Sequence, residues 1–240
     1  MVPLKLVTFD VTKTLLFFRI PVVEKYVSMA ANHDVLVDIT SVKKNFHNAW
    51  TSLSREHPNF GRDTGLGWEN WWAKMVERTF GDVSISEQKI RLIAEDLLKF
   101  HSTAEAFKVR PHTKELLDFL RGRDVRLGVV SNYDTRLNTI LENVNLRKNF
   151  DFVLGSYEFG KMKPDASIFR EALKLGKCST GDEAVHVGDD VELDYHGARR
   201  AGMRAILMLN NEENVDTSGV NHENIFRDFT SLKHYFERNM

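Results

Sequence analysis

Cysteine is nearly absent from this sequence. Cys178 is the only one in 240 residues, so no disulfide can close within the chain, and a reducing compartment fits. Long hydrophobic runs are missing as well. No stretch approaches ~18 consecutive apolar residues, which excludes a membrane-spanning helix. Neither sign of charge is in excess: 33 Lys and Arg stand against 34 Asp and Glu, a formal net charge of -1. That balance gives no footing for nucleic acid or an anionic membrane. The amino terminus enters a strand almost at once, without the apolar run and small-residue cleavage site of a secretory leader. The expectation is a soluble intracellular protein, cytoplasmic, with mitochondrial and nuclear addresses left open. Internal repeats and low-complexity tracts are absent. So are Walker-type loops and G-x-G-x-x-G fingerprints, which argues against a nucleotide cofactor. The nine histidines are scattered, and no pair has convincing zinc-site spacing.

What is there is ordinary for a globular protein: 42% hydrophobic and 28% charged residues, enough chain for one large domain or a domain with an insert. Leu4 to Val11 is a short apolar run rich in β-branched and aromatic residues, the composition of a buried strand. From about Ile20 to Lys108 the pattern turns helical. Val22, Val23, Tyr26, Val27 and Ala30 form one periodic set; Val42, Phe46 and Trp50 a second. Trp68, Trp71, Trp72 and Met75 form a third, and Ile90, Ile93, Ala94, Leu97 and Leu98 a fourth. All four tryptophans lie here, and the expectation is that they fill the core of a small helical bundle. After Pro111, strands alternate with helices: Thr113–Arg123 helix, Val125–Val130 strand, Thr135–Asn143 helix capped by Asp134, Phe152–Leu154 strand, Ser167–Leu175 helix. Ala184–Val187 strand, Leu193–Ala201 helix stopped by Gly202, Arg204–Leu209 strand and Thr230–Arg238 helix complete the series. Asn210 to Asn221 is polar and reads as loop. Such alternation predicts a parallel sheet with helices on both faces, a three-layer Rossmann-like α/β fold. The helical excursion leaves after the first strand and returns before the second, so its two connections are expected to pass over the carboxyl edge of the sheet.

In a parallel sheet the strand ends share that edge, where ligands bind. The first strand brings Asp10, Thr12 and Thr14 there, the second Ser131 and Asn132. The loop after the third brings Lys161 and Lys163, and the fourth brings Asp189, Asp190 and Asp194. Several carboxylates at one place cannot all stay ionised without a cation, and hard oxygen ligands suit Mg²⁺. A lysine, hydroxyls and turn amides beside them suit a phosphoryl group. A carboxylate facing such a group can attack it and form an aspartyl phosphate.

Asp10-Val11-Thr12-Lys13-Thr14-Leu15, Val129-Val130-Ser131-Asn132, Lys163-Pro164-Asp165 and Val187-Gly188-Asp189 with Asp194 resemble, in order, the four motifs of the haloacid dehalogenase (HAD) superfamily. The helical insert resembles that superfamily's first type of cap. Arg19 to Tyr26, Trp71-Trp72 and Asp151 to Leu154 further resemble one subgroup. The resemblance implies a core of residues 1–16 and 109–240 and a helical cap of residues 17–108. It implies Asp10 as nucleophile and metal ligand, the Thr12 backbone carbonyl and Asp189 as further ligands, and Asp194 supporting the metal shell or the lysine. Thr14 shapes the turn at the phosphoryl site. Ser131 and the amide of Asn132 hold phosphoryl oxygens, and Lys163 neutralises Asp10 and the substrate. Lys161 has no counterpart and reads as a bystander; Asp190 reads as a charge at a helix start or an outer support of the metal. Arg19 is the candidate anion contact for the substrate. The cofactor implied is Mg²⁺ and the partner a small phosphorylated molecule, with no membrane or nucleic acid; oligomeric state is not readable.

One position departs from the pattern. Phosphatases of the superfamily carry a second aspartate two residues after the nucleophile, to protonate the leaving alcohol and then activate water. Here that residue is Thr12, which cannot exchange a proton near pH 7. Such help is typically worth ~10²–10⁴ in rate. Three readings follow: a slow or specialised Mg²⁺-dependent phosphohydrolase; a catalytically impaired protein that binds a phosphorylated metabolite or a protein; and a metal-independent dehalogenase, a branch that generally lacks the aspartate found here at Asp189.

Overall fold

The computed structural model describes residues 2–81, 83–210 and 215–240. The chain divides into two compact units, Met1–Phe17 with Val109–Met240, and Phe18–Lys108. Residues 211–214 of the expected polar loop lie outside the described residues. No described helix is long and apolar enough to cross a membrane.

The first unit is built on a six-stranded sheet. Its strands are β1 (Leu6–Phe9), β4 (Arg126–Ser131), β5 (Phe152–Gly155), β6 (Ala184–Gly188), β7 (Arg204–Met208) and β8 (Ile225–Phe226), in the order β5-β4-β1-β6-β7-β8. Every pairing is parallel. β2 (Leu16–Phe18) and β3 (Phe107–Val109) pair as a separate two-stranded ribbon. β1 lies at the centre between β4 and β6, all four of its residues buried, because both its faces are covered. One face carries Leu6, Ala184 and Ala205 and packs on Ile168, Phe169 and Ala172 of the helix Ala166–Leu175 and on Ala198. On the other, Phe9 meets Phe150 and Phe229 edge-on, with ring centroids 6.3 and 6.2 Å away. This is the three-layer α/β arrangement that the alternating pattern predicts.

Three details differ from the sequence reading. β8 has two residues, too short for a periodic signal. The stretch read as a helix from Leu193 begins instead as a π-helical turn, Val191–His196, and becomes α-helical only over Gly197–Arg200. Asp134 also does not cap the next helix, which starts at Leu137; its carboxylate grips the Arg136 guanidinium at 2.9 and 2.7 Å.

Among the described residues the second unit holds four α-helices: α1 (Val22–Asn32), α2 (Ile39–Glu56), α3 (Trp68–Thr79) and α4 (Glu87–Phe100). Asp38 and Ser86 accept backbone N–H bonds at the starts of α2 and α4. Tyr26, Met29, Ala30, Val42, Val76, Phe80, Ile93 and Leu97 make its core. The tryptophans do not fill that core as expected. Trp71 is buried and bonds His57 O through Nε1 at 3.0 Å, whereas Trp50 is 41% exposed. Trp50 follows Ala49, which is buried, by one residue, so it stands about 100° round the helix from the apolar stripe. It joins Phe60, Trp71 and Trp72 in a separate aromatic cluster.

Candidate active site

The parallel register decides which residues meet. Phe9 is level with Val129 on one side and Val187 on the other. Asp10, Ser131 and Asp189 therefore emerge together at the carboxyl edge, and the Asp10 amide donates to Val187 O at 2.9 Å. After Asp10 the chain makes a tight turn: Leu15 and Leu16 N–H both bond Val11 O, and Lys13 N–H bonds Leu16 O, with Lys13 at φ 62°. The buried Arg110 clamps this turn from outside. Its Nε donates to Thr14 O and an Nη to Lys13 O, both at 2.6 Å, and it also bonds the Asn210 side chain at 2.7 Å.

Lys163 is the hub of the site. Its Nζ lies 2.5 Å from Asp10 Oδ1 and 2.6 Å from Asp194 Oδ1. Asn132 fixes its backbone with two bonds, accepting from Lys163 N at 2.7 Å and donating to Lys163 O at 2.9 Å. The Asn132 side chain is thus tied to the loop through both its oxygen and its nitrogen. The Ser131 hydroxyl bonds the Asp10 carboxylate. Thr14, expected beside the phosphoryl group, is fully buried and gives its hydroxyl to Asp189 Oδ1 at 3.3 Å. Asp194 reaches the hub because residue 188 is glycine: a Cβ there would lie 2.2 Å from Asp194 Cγ. Asp190 caps the π-helical turn through Glu192 N–H and Leu193 N–H, and Lys161 is exposed. Arg19 belongs to the second unit, its amide bonded to Ala106 O at 2.9 Å and its side chain exposed.

Ligand oxygens of Asp10, Asp189 and Asp194 lie within 4.8 Å of one another. Burial would lower the Lys163 ammonium, but the charges of Asp10 and Asp194 outweigh it and push it up. Burial would raise Asp194; Lys163 and the His186 bond instead hold it well below the usual carboxylate range. Burial raises Asp10 against the pull of Lys163. Asp189 is pushed up to about 8, by burial and then by the charges of Asp10 and Asp194. Three acids around one lysine leave negative charge in excess. Oxygen donors with uncompensated negative charge fit a hard divalent cation. Asp194 is the least available of the three, since Lys163, His186 and the Asp190 amide already occupy its oxygens.

A family model described as haloacid dehalogenase-like hydrolase matches residues 4–202, from the first strand through the turn that carries Asp194. The chain belongs to the haloacid dehalogenase-like hydrolases. Among curated members of the family, the chain is 40% identical to the Bos taurus protein named haloacid dehalogenase-like hydrolase domain-containing protein 3, over 87% of this chain and 83% of that one. Two solved structures share the fold. The 2-haloacid dehalogenase of Pseudomonas syringae pv. Tomato DC3000 matches with a TM-score of 0.70 and 22% identity, covering 99% of this chain and 100% of that one. YfnB of Bacillus subtilis, crystallised bound to magnesium, matches with a TM-score of 0.77 and 15% identity, covering 98% and 99%.

Two residues of this HAD-like site escape the sequence reading. Arg110, next to Pro111, carries no signal that separates it from a surface arginine. His186 does carry one: it is a polar ring inside the apolar strand Ala184–Gly188, and fully buried.

Proposed function

We propose that this chain is a Mg²⁺-dependent phosphohydrolase that passes a phosphoryl group through Asp10, slow or restricted to good leaving groups because Thr12 replaces the family's second aspartate. The observation that supports it is the meeting of Asp10, Asp189 and Asp194 around a single lysine. Asp189 argues against a metal-independent dehalogenase, and YfnB offers a fold relative that binds magnesium. Asp10, the Thr12 carbonyl and Asp189 would hold the ion, which when bound supplies positive charge to the phosphoryl oxygens.

The chain's own groups do the rest. Lys163 offsets the charge of Asp10, so that a second anion can approach it. The Asp10 oxygen not bonded to Lys163 attacks phosphorus; the bond from phosphorus to the leaving oxygen breaks, and the electron pair leaves with that oxygen. The Ser131 hydroxyl and the Asn132 amide take the phosphoryl oxygens. Water then attacks phosphorus, the bond from phosphorus to the Asp10 oxygen breaks, the water's proton leaves with the phosphate, and the Asp10 carboxylate is restored. Thr12 gives no proton to the leaving oxygen, which selects acyl or aryl phosphates, whose leaving groups need none. Arg19 is proposed as the anion contact that selects a small phosphorylated substrate.

Thr12 also favours a second reading, an impaired member that binds a phosphorylated metabolite or protein without useful turnover. One pair of variants tests both. Thr12→Asp should raise aryl phosphate hydrolysis in Mg²⁺ by ~10²–10⁴, and Asp10→Asn should abolish it. No gain in Thr12→Asp while metal still binds would refute this account of the defect. A wild type that binds phosphoesters but turns none over would favour the second reading.

A further inference from the structure

Thr8 and His186 face each other across the central pairing of β1 with β6, in register and both fully buried. A polar pair in the middle of a buried sheet face is costly unless each group is bonded. Here both are. Thr8 Oγ1 lies 2.8 Å from His186 Nδ1, and His186 Nε2 lies 2.9 Å from Asp194 Oδ1. Phe169 packs edge-on against the imidazole, centroid to centroid 5.1 Å, and closes that side. An ionised Asp194 only accepts, so the proton sits on Nε2. The Thr8 hydroxyl holds the Nδ1 side of the ring.

We infer that His186, its tautomer set by Asp194 and its ring held from the other side by Thr8, is a positioning residue that fixes Asp194 and through it the Lys163 ammonium against Asp10. The line of contacts runs Thr8, His186, Asp194, Lys163, Asp10, with steps of 2.8, 2.9, 2.6 and 2.5 Å. Asp194 Oδ1 takes one bond from His186 and one from Lys163, and Oδ2 takes the Asp190 amide at 3.1 Å. Without the imidazole N–H, Lys163 is the only side-chain donor to Asp194 in this chain of contacts. The carboxylate is then free to turn, and the ammonium turns with it. The geometric part stands on the contacts alone; its consequence for rate rests on the phosphohydrolase reading above.

The test uses the full chain labelled with ¹⁵N-lysine, free of divalent cation. A Lys163 ammonium enclosed by two carboxylates should give a slowly exchanging ¹H–¹⁵N signal, assigned by its loss in Lys163→Met. His186→Leu removes the donor, and His186→Gln returns an N–H at similar reach. The signal should broaden or shift in the first and recover in the second. Thr8→Val should weaken it with little change in fold, and it supplies the measurement if His186→Leu does not fold. On an aryl phosphate, His186→Leu should lose about 10- to 100-fold in kcat with KM nearly unchanged, and His186→Gln should recover most of it. An unchanged Lys163 signal in both His186→Leu and Thr8→Val overturns the inference, whatever the rates do. Signals that respond as stated in a protein with no turnover would leave the positioning intact and sink the phosphohydrolase reading.

Discussion

Binding of Mg²⁺ should release a proton, and Asp189 should be its source. In the free protein Asp189 is pushed up to about 8, so at pH 7 it is roughly nine-tenths protonated. A divalent cation needs the carboxylate, so binding must expel that proton. The apparent affinity should therefore rise ~10-fold per pH unit from pH 6 to about 8 and then level, a gain of about 100-fold, or ~2.7 kcal/mol. Lys163 is held above its usual range and Asp194 below its own, so neither adds to the slope in this window. Asp10 is raised too and can only steepen it. Calorimetric titration with MgCl₂ at pH 6.5, in two buffers of different ionisation enthalpy, counts the protons directly. The count should be at least about one at pH 6.5 and fall toward zero by pH 9. Asp189→Asn should lose both most of the affinity and the dependence on buffer. Binding at pH 6.5 without any proton release would show that Asp189 is already ionised and refute the reasoning. Undiminished binding by Asp189→Asn would remove the cluster as the cation site.

The same shift bears on stability. The folded-state value of Asp189 lies above its ordinary 3.8, so the stability it contributes is complete below about pH 4 and is lost as pH climbs toward 8. In EDTA, Asp189→Asn should be more stable than wild type by a margin that widens toward pH 8 at up to ~1.4 kcal/mol per pH unit; parallel denaturation curves would refute this. Lys163→Met leaves Asp10 and Asp194 facing each other in a buried site and should cost about 3–5 kcal/mol in urea unfolding, less at pH 5, where Asp10 can take up a proton. Gly188→Ala places a Cβ 2.2 Å from Asp194 Cγ. It should keep a folded near-ultraviolet spectrum and lose on the order of 100-fold in aryl phosphate hydrolysis; full activity would mean that Asp194 need not stand where it does.

The main strands were legible because β1, β4, β6 and β7 are compact apolar runs bounded by turn residues, and a strand buried on both faces needs no finer signal. The parallel register then brought Asp10, Ser131 and Asp189 together without further information. What stayed hidden depends on contacts that no local pattern encodes. The π-helical turn is one case. Tyr195 N–H bonds Asp190 O, a bond spanning five residues, and the composition of Val191–His196 does not distinguish it from an α-helix. Its effect is to turn Asp194 toward His186 and Lys163. Arg110 is another, since its partners Lys13, Thr14 and Asn210 lie about a hundred residues away in either direction. Helical spacing alone misplaces Trp50, because it does not distinguish which neighbour, Ala49 or Trp50, faces inward.

The turn that carries Thr12 also explains why an exchange at that position is informative. Its main-chain bonds run from Lys13, Leu15 and Leu16 to Leu16 and Val11, and Arg110 clamps the Lys13 and Thr14 carbonyls. None of these bonds uses the Thr12 side chain, which is half-buried. The conformation that presents Asp10 is thus held by backbone and by Arg110, so an aspartate can replace Thr12 without remaking the turn. The bonds from Lys163 to Asp10 and to Asp194 do not involve residue 12. A gain in Thr12→Asp would then report proton transfer and little else, because the groups that bind and orient are already in place. By the same logic, Arg110→Met combined with Thr12→Asp should forfeit much of that gain: two carbonyls lose their donors, the turn loosens, and a proton donor without a fixed position loses most of its advantage. A double variant as active as Thr12→Asp alone would show that the clamp is dispensable and that the turn is held by its backbone bonds alone.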